Sequence, residues 1–189
     1  MRECTQFYID GQWVEPVTEN TVAVENPATE ETIGHISFGT AADVDKAVAA
    51  ARRAFESFSQ TSKEERLTLL RAIQAEIETR KEELATAVSD EMGAPLSLAN
   101  GPHVGLLAGH CQKAIEVLEG FAFERLDGPT LHVWEPVGVV GMITPWNWPL
   151  NQIACKVFPA LATGNTMVLK PSEIAPFNAY IFAEIMHAA

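Results

Sequence analysis

Val137-Gly138-Val139-Val140-Gly141-Met142-Ile143-Thr144-Pro145-Trp146-Asn147-Trp148-Pro149 and, further on, Thr166-Met167-Val168-Leu169-Lys170-Pro171-Ser172-Glu173 decide the fold. Each stretch is an apolar run that gives way to polar residues and prolines. Residues 150–163, between them, read as a helix with Pro159 as a bend, and Gly164-Asn165 reads as a turn. Strand, helix and strand in that order form a βαβ unit, which predicts parallel strands. Val137–Ile143 is apolar almost throughout, which predicts a strand covered on both faces, and Thr166–Leu169 reads as a second buried strand. A further helix is expected from Ser172 to Ala189, with Pro176 tolerated in its first turns.

Both strands end in polar groups at their C-terminal edge, where open α/β sheets bind ligands. The Lys170 ammonium can donate to sugar hydroxyls or a phosphate. Glu173, three residues on, can accept from a ribose hydroxyl, and its charge would repel a 2′-phosphate. The Asn147 amide can donate to a developing oxyanion. Pro145 and Pro149 fix φ locally and stiffen the loop that carries it. The same residues have plainer readings. Lys170-Pro171-Ser172-Glu173 also suits a turn with an N-cap serine and a first-turn glutamate, and Trp146 and Trp148 also suit packing roles. No Gly-x-Gly-x-x-Gly follows a strand, and Gly138 and Gly141 have the wrong spacing for one. Residue pattern alone therefore reaches an α/β segment with a possible nucleotide site.

Upstream, the chain opens in hairpins. Asp10-Gly11 lies between Phe7-Tyr8-Ile9 and Trp13-Val14, a strong two-residue turn signal. Asn26-Pro27-Ala28-Thr29 separates Val22–Val24 from Thr32–Ile36. Helices follow. Thr40 is placed to cap Ala41–Phe58, whose apolar stripe would be Val44, Ala47, Val48, Ala51 and Phe55. Ser62 and Glu65 form a capping box before Leu67, Leu70, Ile73 and Ile77. A helix with Leu84 and Val88 is expected to stop at Gly93-Ala94-Pro95. A helix from His103 to Gly120 would bury Leu107, Cys111, Ile115 and Leu118. Leu131–Trp134 alternates as a partly solvated strand would.

A net charge of -12 over 189 residues disfavours nucleic acid and anionic membrane surfaces as partners. Three cysteines and no apolar leader argue against a disulfide framework and for a cytoplasmic protein with reduced thiols. Cys111 reads as core, Cys155 as a packing thiol and Cys4 as exposed. The five histidines show no ligand spacing with Cys or carboxylates, so no metal site is expected. Two parallel strands make a poor open sheet, and the last helix lacks a stop signal. Both features read as an incomplete chain.

Glu135–Pro149 and Pro159–Glu173 together resemble the NAD-binding region of the aldehyde dehydrogenase superfamily. Phe7–Val14, Asn26–Thr29 and Ala49–Phe55 are similar to that family's N-terminal signatures, so the likeness spans essentially the whole chain in order. The fold it implies is α/β, the N-terminal part of the aldehyde dehydrogenase fold. Residues 1–130 would form a hairpin and helical part, 131–136 part of an oligomerisation β arm, and 137–189 the start of a Rossmann-like sheet. The activity it implies is NAD(P)-dependent oxidation of an aldehyde to a carboxylic acid. In that reaction a cysteine thiolate attacks the carbonyl, hydride leaves to the nicotinamide, and a glutamate-activated water hydrolyses the thioester. Carried over by position, Asn147 would hold the oxyanion. Ile143, Thr144, Pro145 and Trp146 would line the nicotinamide side of the cofactor path. Lys170 and Glu173 would bind the adenosine ribose, with Ser172 beside them and NAD preferred to NADP. The family's nucleophilic Cys and general-base Glu match no position here, so the chain alone is expected to be inactive. The full-length protein would be a homodimer or homotetramer. The alternative is a free-standing, non-catalytic protein that binds a nucleotide or a partner.

Overall fold

The computed structural model describes residues 1–189. Strands β1 (Arg2–Cys4), β4 (Thr21–Asn26) and β5 (Glu31–Ser37) form one sheet in the order β1-β5-β4, with β1 parallel and β4 antiparallel to β5. β2 (Phe7–Ile9) and β3 (Gln12–Val14) form the expected hairpin. Asp10 and Gly11 both take positive φ, 57° and 73°, as a two-residue turn of the right twist requires. β1 was not foreseen. Arg2-Glu3-Cys4 has no alternation to betray it, and it exists because β5 offers an edge.

Helices α1 (Ala41–Phe58), α2 (Lys63–Thr79) and α3 (Lys81–Met92) start and stop on local chemistry. Asp43 Oδ2 accepts from the Thr40 backbone N–H at 2.8 Å, and Asp43 Oδ1 accepts from the Val17 N–H at 2.8 Å, so this one carboxylate caps α1 and ties it to the preceding loop. Glu65 accepts from the Ser62 N–H at 2.7 Å while Ser62 Oγ accepts from the Glu65 N–H. Gly93, at φ 74°, ends α3 in the left-handed region. The α1 stripe differs from expectation at its start. Val44 is exposed, and Ala50 and Ala51 carry the buried face.

A single helical turn, α4 (Leu96–Leu98), runs into a π-helical turn, Ala99–His103, before α5 (Val104–Gly120). The expected continuous helix therefore begins with a wider turn. Pro102 sits inside it, has no N–H to donate to the α-helical ladder, and so favours the break.

β6 (Glu124–Asp127) and β7 (Thr130–Val133) form an antiparallel hairpin around Gly128. The expected half-buried alternation in Leu131–Trp134 is absent, since all eight strand residues are exposed. β8 (Val139–Ile143) and β9 (Thr166–Lys170) pair in parallel through α6 (Pro149–Ala162), as the βαβ reading requires. Their expected burial is corrected: only Met142 is buried in β8, and no residue of β9 is. α1 packs against both strands, and Thr166 Oγ1 donates to the Ala51 carbonyl at 2.8 Å. The final helix, α7 (Phe177–Ala188), starts at Phe177 and not at Ser172.

A single apolar cluster of 31 buried residues joins α2, α3, α5, α6 and α7 to the inner face of β4 and β5. The stripes Leu67, Leu70, Ile73, Ile77 and Leu107, Cys111, Ile115, Leu118 all lie in it. No helix is long and apolar enough to cross a membrane.

Candidate functional site

The βαβ unit sets the geometry of the site. In the parallel register Ile143 stands opposite Lys170, so both strands leave the sheet at the same level. The Thr144 N–H donates to the Lys170 carbonyl at 3.2 Å and closes the last rung. Two polar loops, Thr144–Trp148 and Pro171–Pro176, therefore start side by side. Asn165 secures the opposite end. Its Oδ1 accepts from the Gly138 N–H at 3.0 Å, and its amide donates to Thr163 Oγ1 at 2.8 Å. Asn165 was read only as a turn residue. Its buried amide spans the two strands, a partnership that a sequence pattern does not carry.

The loop after β8 places its residues unevenly. Thr144 is buried, whereas Ile143, Pro145, Trp146 and Asn147 are exposed. Ile143 is 79% exposed although it ends an apolar strand. The Asn147 amide faces solvent and has no hydrogen-bond partner in the chain. Trp148 turns the other way and stacks on the His103 ring, with centroids 4.3 Å apart and planes 15° apart. The packing role thus belongs to Trp148 and not to Trp146.

After β9, Lys170 Nζ donates to Glu173 Oε2 at 2.7 Å, with both side chains largely exposed. That hydrogen bond holds the Glu173 carboxyl below the usual range, so it stays ionised near neutrality. Ser172 departs from its reading as a helix N-cap. It is buried and its Oγ accepts from the Ile174 N–H at 3.2 Å, so it shapes the loop ahead of α7. The N-terminus of α7 is capped from a distance instead. Glu91, buried at the end of α3, accepts from the Phe177 N–H at 2.5 Å, the Asn178 N–H at 2.9 Å and the Asn178 side-chain amide at 2.6 Å. Burial lifts the Glu91 carboxyl to about 7, although all three donors pull it down. Sequence reasoning missed Glu91, because it lies on an ordinary helix far from α7 along the chain.

The thiols sort differently from their reading. Cys111 is core as expected: burial pushes it up to about 12, and its Sγ donates to the Leu70 carbonyl at 3.4 Å. Cys4 is half-buried and not exposed, and burial lifts it to about 11. Cys155 is exposed on α6 and not a packing thiol, since its neighbours Ala154 and Val157 take the buried face. Neither Cys4 nor Cys111 offers a thiolate near neutral pH. Nothing in the structure brings Cys155 to the edge formed by Asn147 and Lys170.

A family model described as the aldehyde dehydrogenase family matches residues 13–189. A 3-succinoylsemialdehyde-pyridine dehydrogenase of Pseudomonas sp is 54% identical over 98% of the chain, which corresponds to 39% of that protein. The crystal structure of aldehyde dehydrogenase C from Pseudomonas syringae, a cysteine-to-alanine mutant in complex with NAD+ and octanal, superposes with a TM-score of 0.97. It is 50% identical over 98% of this chain and 39% of its own. An aldehyde dehydrogenase from Bartonella henselae superposes with a TM-score of 0.96 at 42% identity, over 99% of this chain and 40% of its own. The chain spans about two-fifths of the length of the relatives it matches. With nearly all its residues matched in sequence and in fold, this chain belongs to the aldehyde dehydrogenase family.

Proposed function

We propose that this chain forms the NAD-binding flank and the oxyanion side of a site that oxidises an aldehyde to a carboxylic acid. The observation that carries the reading is the Ile143–Lys170 register, which starts the Asn147 loop and the Lys170 loop at one sheet edge. The exposed Lys170–Glu173 pair suits an adenosine ribose. Glu173 accepts from a hydroxyl and Lys170 donates, without either group having to leave a buried position. The ionised Glu173 also favours NAD over NADP, because a 2′-phosphate would meet a carboxylate there. Backbone groups of Ile143, Thr144, Pro145 and Trp146 line the path towards the nicotinamide, and buried Ser172 shapes the ribose loop. NAD, when bound, accepts hydride from the substrate carbon.

The work of the chain's own residues is positional and electrostatic. When a nucleophile adds to an aldehyde carbonyl, negative charge gathers on the oxygen. The Asn147 amide is unpartnered within the chain and free to donate to that oxygen. The nucleophilic cysteine and the general-base glutamate of the family match no position in these 189 residues. The aldehyde dehydrogenase C mutant held octanal together with NAD+, which supports aldehyde as the substrate class here. Residues 1–130 act as the lead-in, 131–136 belong to the arm and 137–189 begin the nucleotide-binding sheet. The exposed β6–β7 hairpin, with Leu126, Leu131 and Val133 facing solvent, suits pairing with a second copy in a homodimer or homotetramer. A cytoplasmic location fits the unpaired thiols.

Calorimetry of NAD against the 189-residue chain tests the cofactor half of this reading. Saturable binding is expected, with Lys170→Ala raising Kd about tenfold or more through loss of a charge-assisted hydrogen bond. A Kd indifferent to Lys170→Ala, or a folded chain that binds no NAD, would overturn it.

A further inference from the structure

His103 lies wholly inside the protein, yet neither ring nitrogen has a hydrogen-bond partner. Burying unpaired polar atoms costs free energy, and such a group in a native structure calls for a reason. Filling space alone would be met more cheaply by leucine, which has no flat face and no polar atom to desolvate. The backbone that carries His103 is also unusual. It closes a π-helical turn in which the Val104 N–H donates to the Ala99 carbonyl five residues back. Such turns recur at functional sites, because the extra residue re-aims the side chains that follow.

The His103 ring is aimed at Trp148. The two rings lie nearly parallel at 4.3 Å. Trp148 is the last residue before α6 and the immediate neighbour of Asn147. The loop between them and the sheet has few other ties. The Thr144 N–H is bonded at one end and the Trp148 carbonyl at the other, where it accepts from the Gln152 N–H at 2.9 Å. Pro145 has no N–H, and neither Trp146 nor Asn147 makes a hydrogen bond within the chain. Burial keeps the imidazole neutral by lowering its proton affinity, so the stack joins two uncharged rings near neutral pH.

We propose that His103 is a positioning residue for Asn147. Stacked on Trp148 from the π turn, its ring fixes the end of the Thr144–Trp148 loop and so the direction in which the Asn147 amide points. The proposal rests on the reading of Asn147 as the oxyanion donor, but its test does not.

The test is ¹⁵N relaxation of the Asn147 backbone amide in the 189-residue chain, with Trp148 indole resonances as a second probe and circular dichroism as the control for folding. In the parent chain and in His103→Phe, which keeps a flat ring, an order parameter of about 0.85 is expected. In His103→Leu, which keeps bulk but loses the flat face, it should fall towards about 0.6. Trp148→Leu removes the other half of the stack and should do the same, and it replaces His103→Leu if that chain does not fold. Unchanged Asn147 order in a folded leucine variant overturns the proposal, as does a His103→Phe chain as loose as His103→Leu. If the order falls as expected while Asn147→Ala leaves turnover of the enzyme intact, the positioning stands and the oxyanion role falls.

Discussion

The helical core and the β8–β9 sheet are built from similarly apolar sequence, yet they end in opposite environments. Leu70, Ile73, Leu107, Ile153 and Phe158 are sealed inside, whereas Ile143, at the end of β8, is 79% exposed. The helices bury their stripes against one another and against the inner face of β4 and β5. A sheet has two faces and two edges, and two strands with α1 packed on them leave much of both open. The candidate site sits on the open element. Its polar loops, the Lys170–Glu173 pair and the Asn147 amide, all project from the less covered part of the molecule. Two buried side chains fasten the elements around them. Asn165 ties β8 to the turn before β9, and Glu91 holds the start of α7.

The contrast breaks most readily in stability measurements. Phe158→Ala should cost about 3–5 kcal/mol in urea unfolding, because it opens a cavity in a close-packed interior. Ile143→Ala, at the exposed end of β8, should stay within about 0.5 kcal/mol. Equal costs would mean that the sheet is covered as fully as the core. The next effect in size concerns the open edge. Asn147→Ala should lower kcat of the enzyme about 10²-fold by removing an oxyanion donor, with the chain's melting temperature unchanged. An unchanged kcat, measured with chemistry rate-limiting, would remove Asn147 from that role.

A pH dependence sharpens the link between the two regions. Glu91 ordinarily ionises at 4.5 and in the folded chain near 7, so between those values the native state holds a proton that the unfolded chain has lost. Its contribution to stability is therefore fully present below about pH 4.5 and is lost as pH rises through about 7. Glu91→Gln should flatten the fall in stability across that window. A slope identical to that of the parent chain would show that Glu91 does not titrate there.

Where a feature depends on neighbours along the chain, it was legible in the sequence. The Asp10-Gly11 turn, the Ser62–Glu65 box, the Gly93 stop and the apolar stripes of α2 and α5 rest on spacings of a few residues, and these formed as expected, whereas the α1 stripe did not. The order strand, helix, strand also carried through, with the parallel pairing it implies. The family resemblance seen in Glu135–Pro149 and Pro159–Glu173 was borne out by the match over residues 13–189.

What escaped the sequence depends on contacts between distant residues. Glu91 and Asn178 stand 87 positions apart, and nothing in either helix announces the other. The start of α7 was misplaced for the same reason, since its cap lies on α3 and not at Ser172. His103 looked like any histidine on a helix until the π turn swung it beneath Trp148. By itself the sequence determined the elements, their order and the residues that leave the parallel strands at one edge, because hydrophobic period, capping and turn chemistry act locally. Only the tertiary structure decided which apolar runs are covered, which thiols are buried and which polar groups hold the site still. Burial and hydrogen bonding of those groups are properties of surfaces that meet only after the chain has folded.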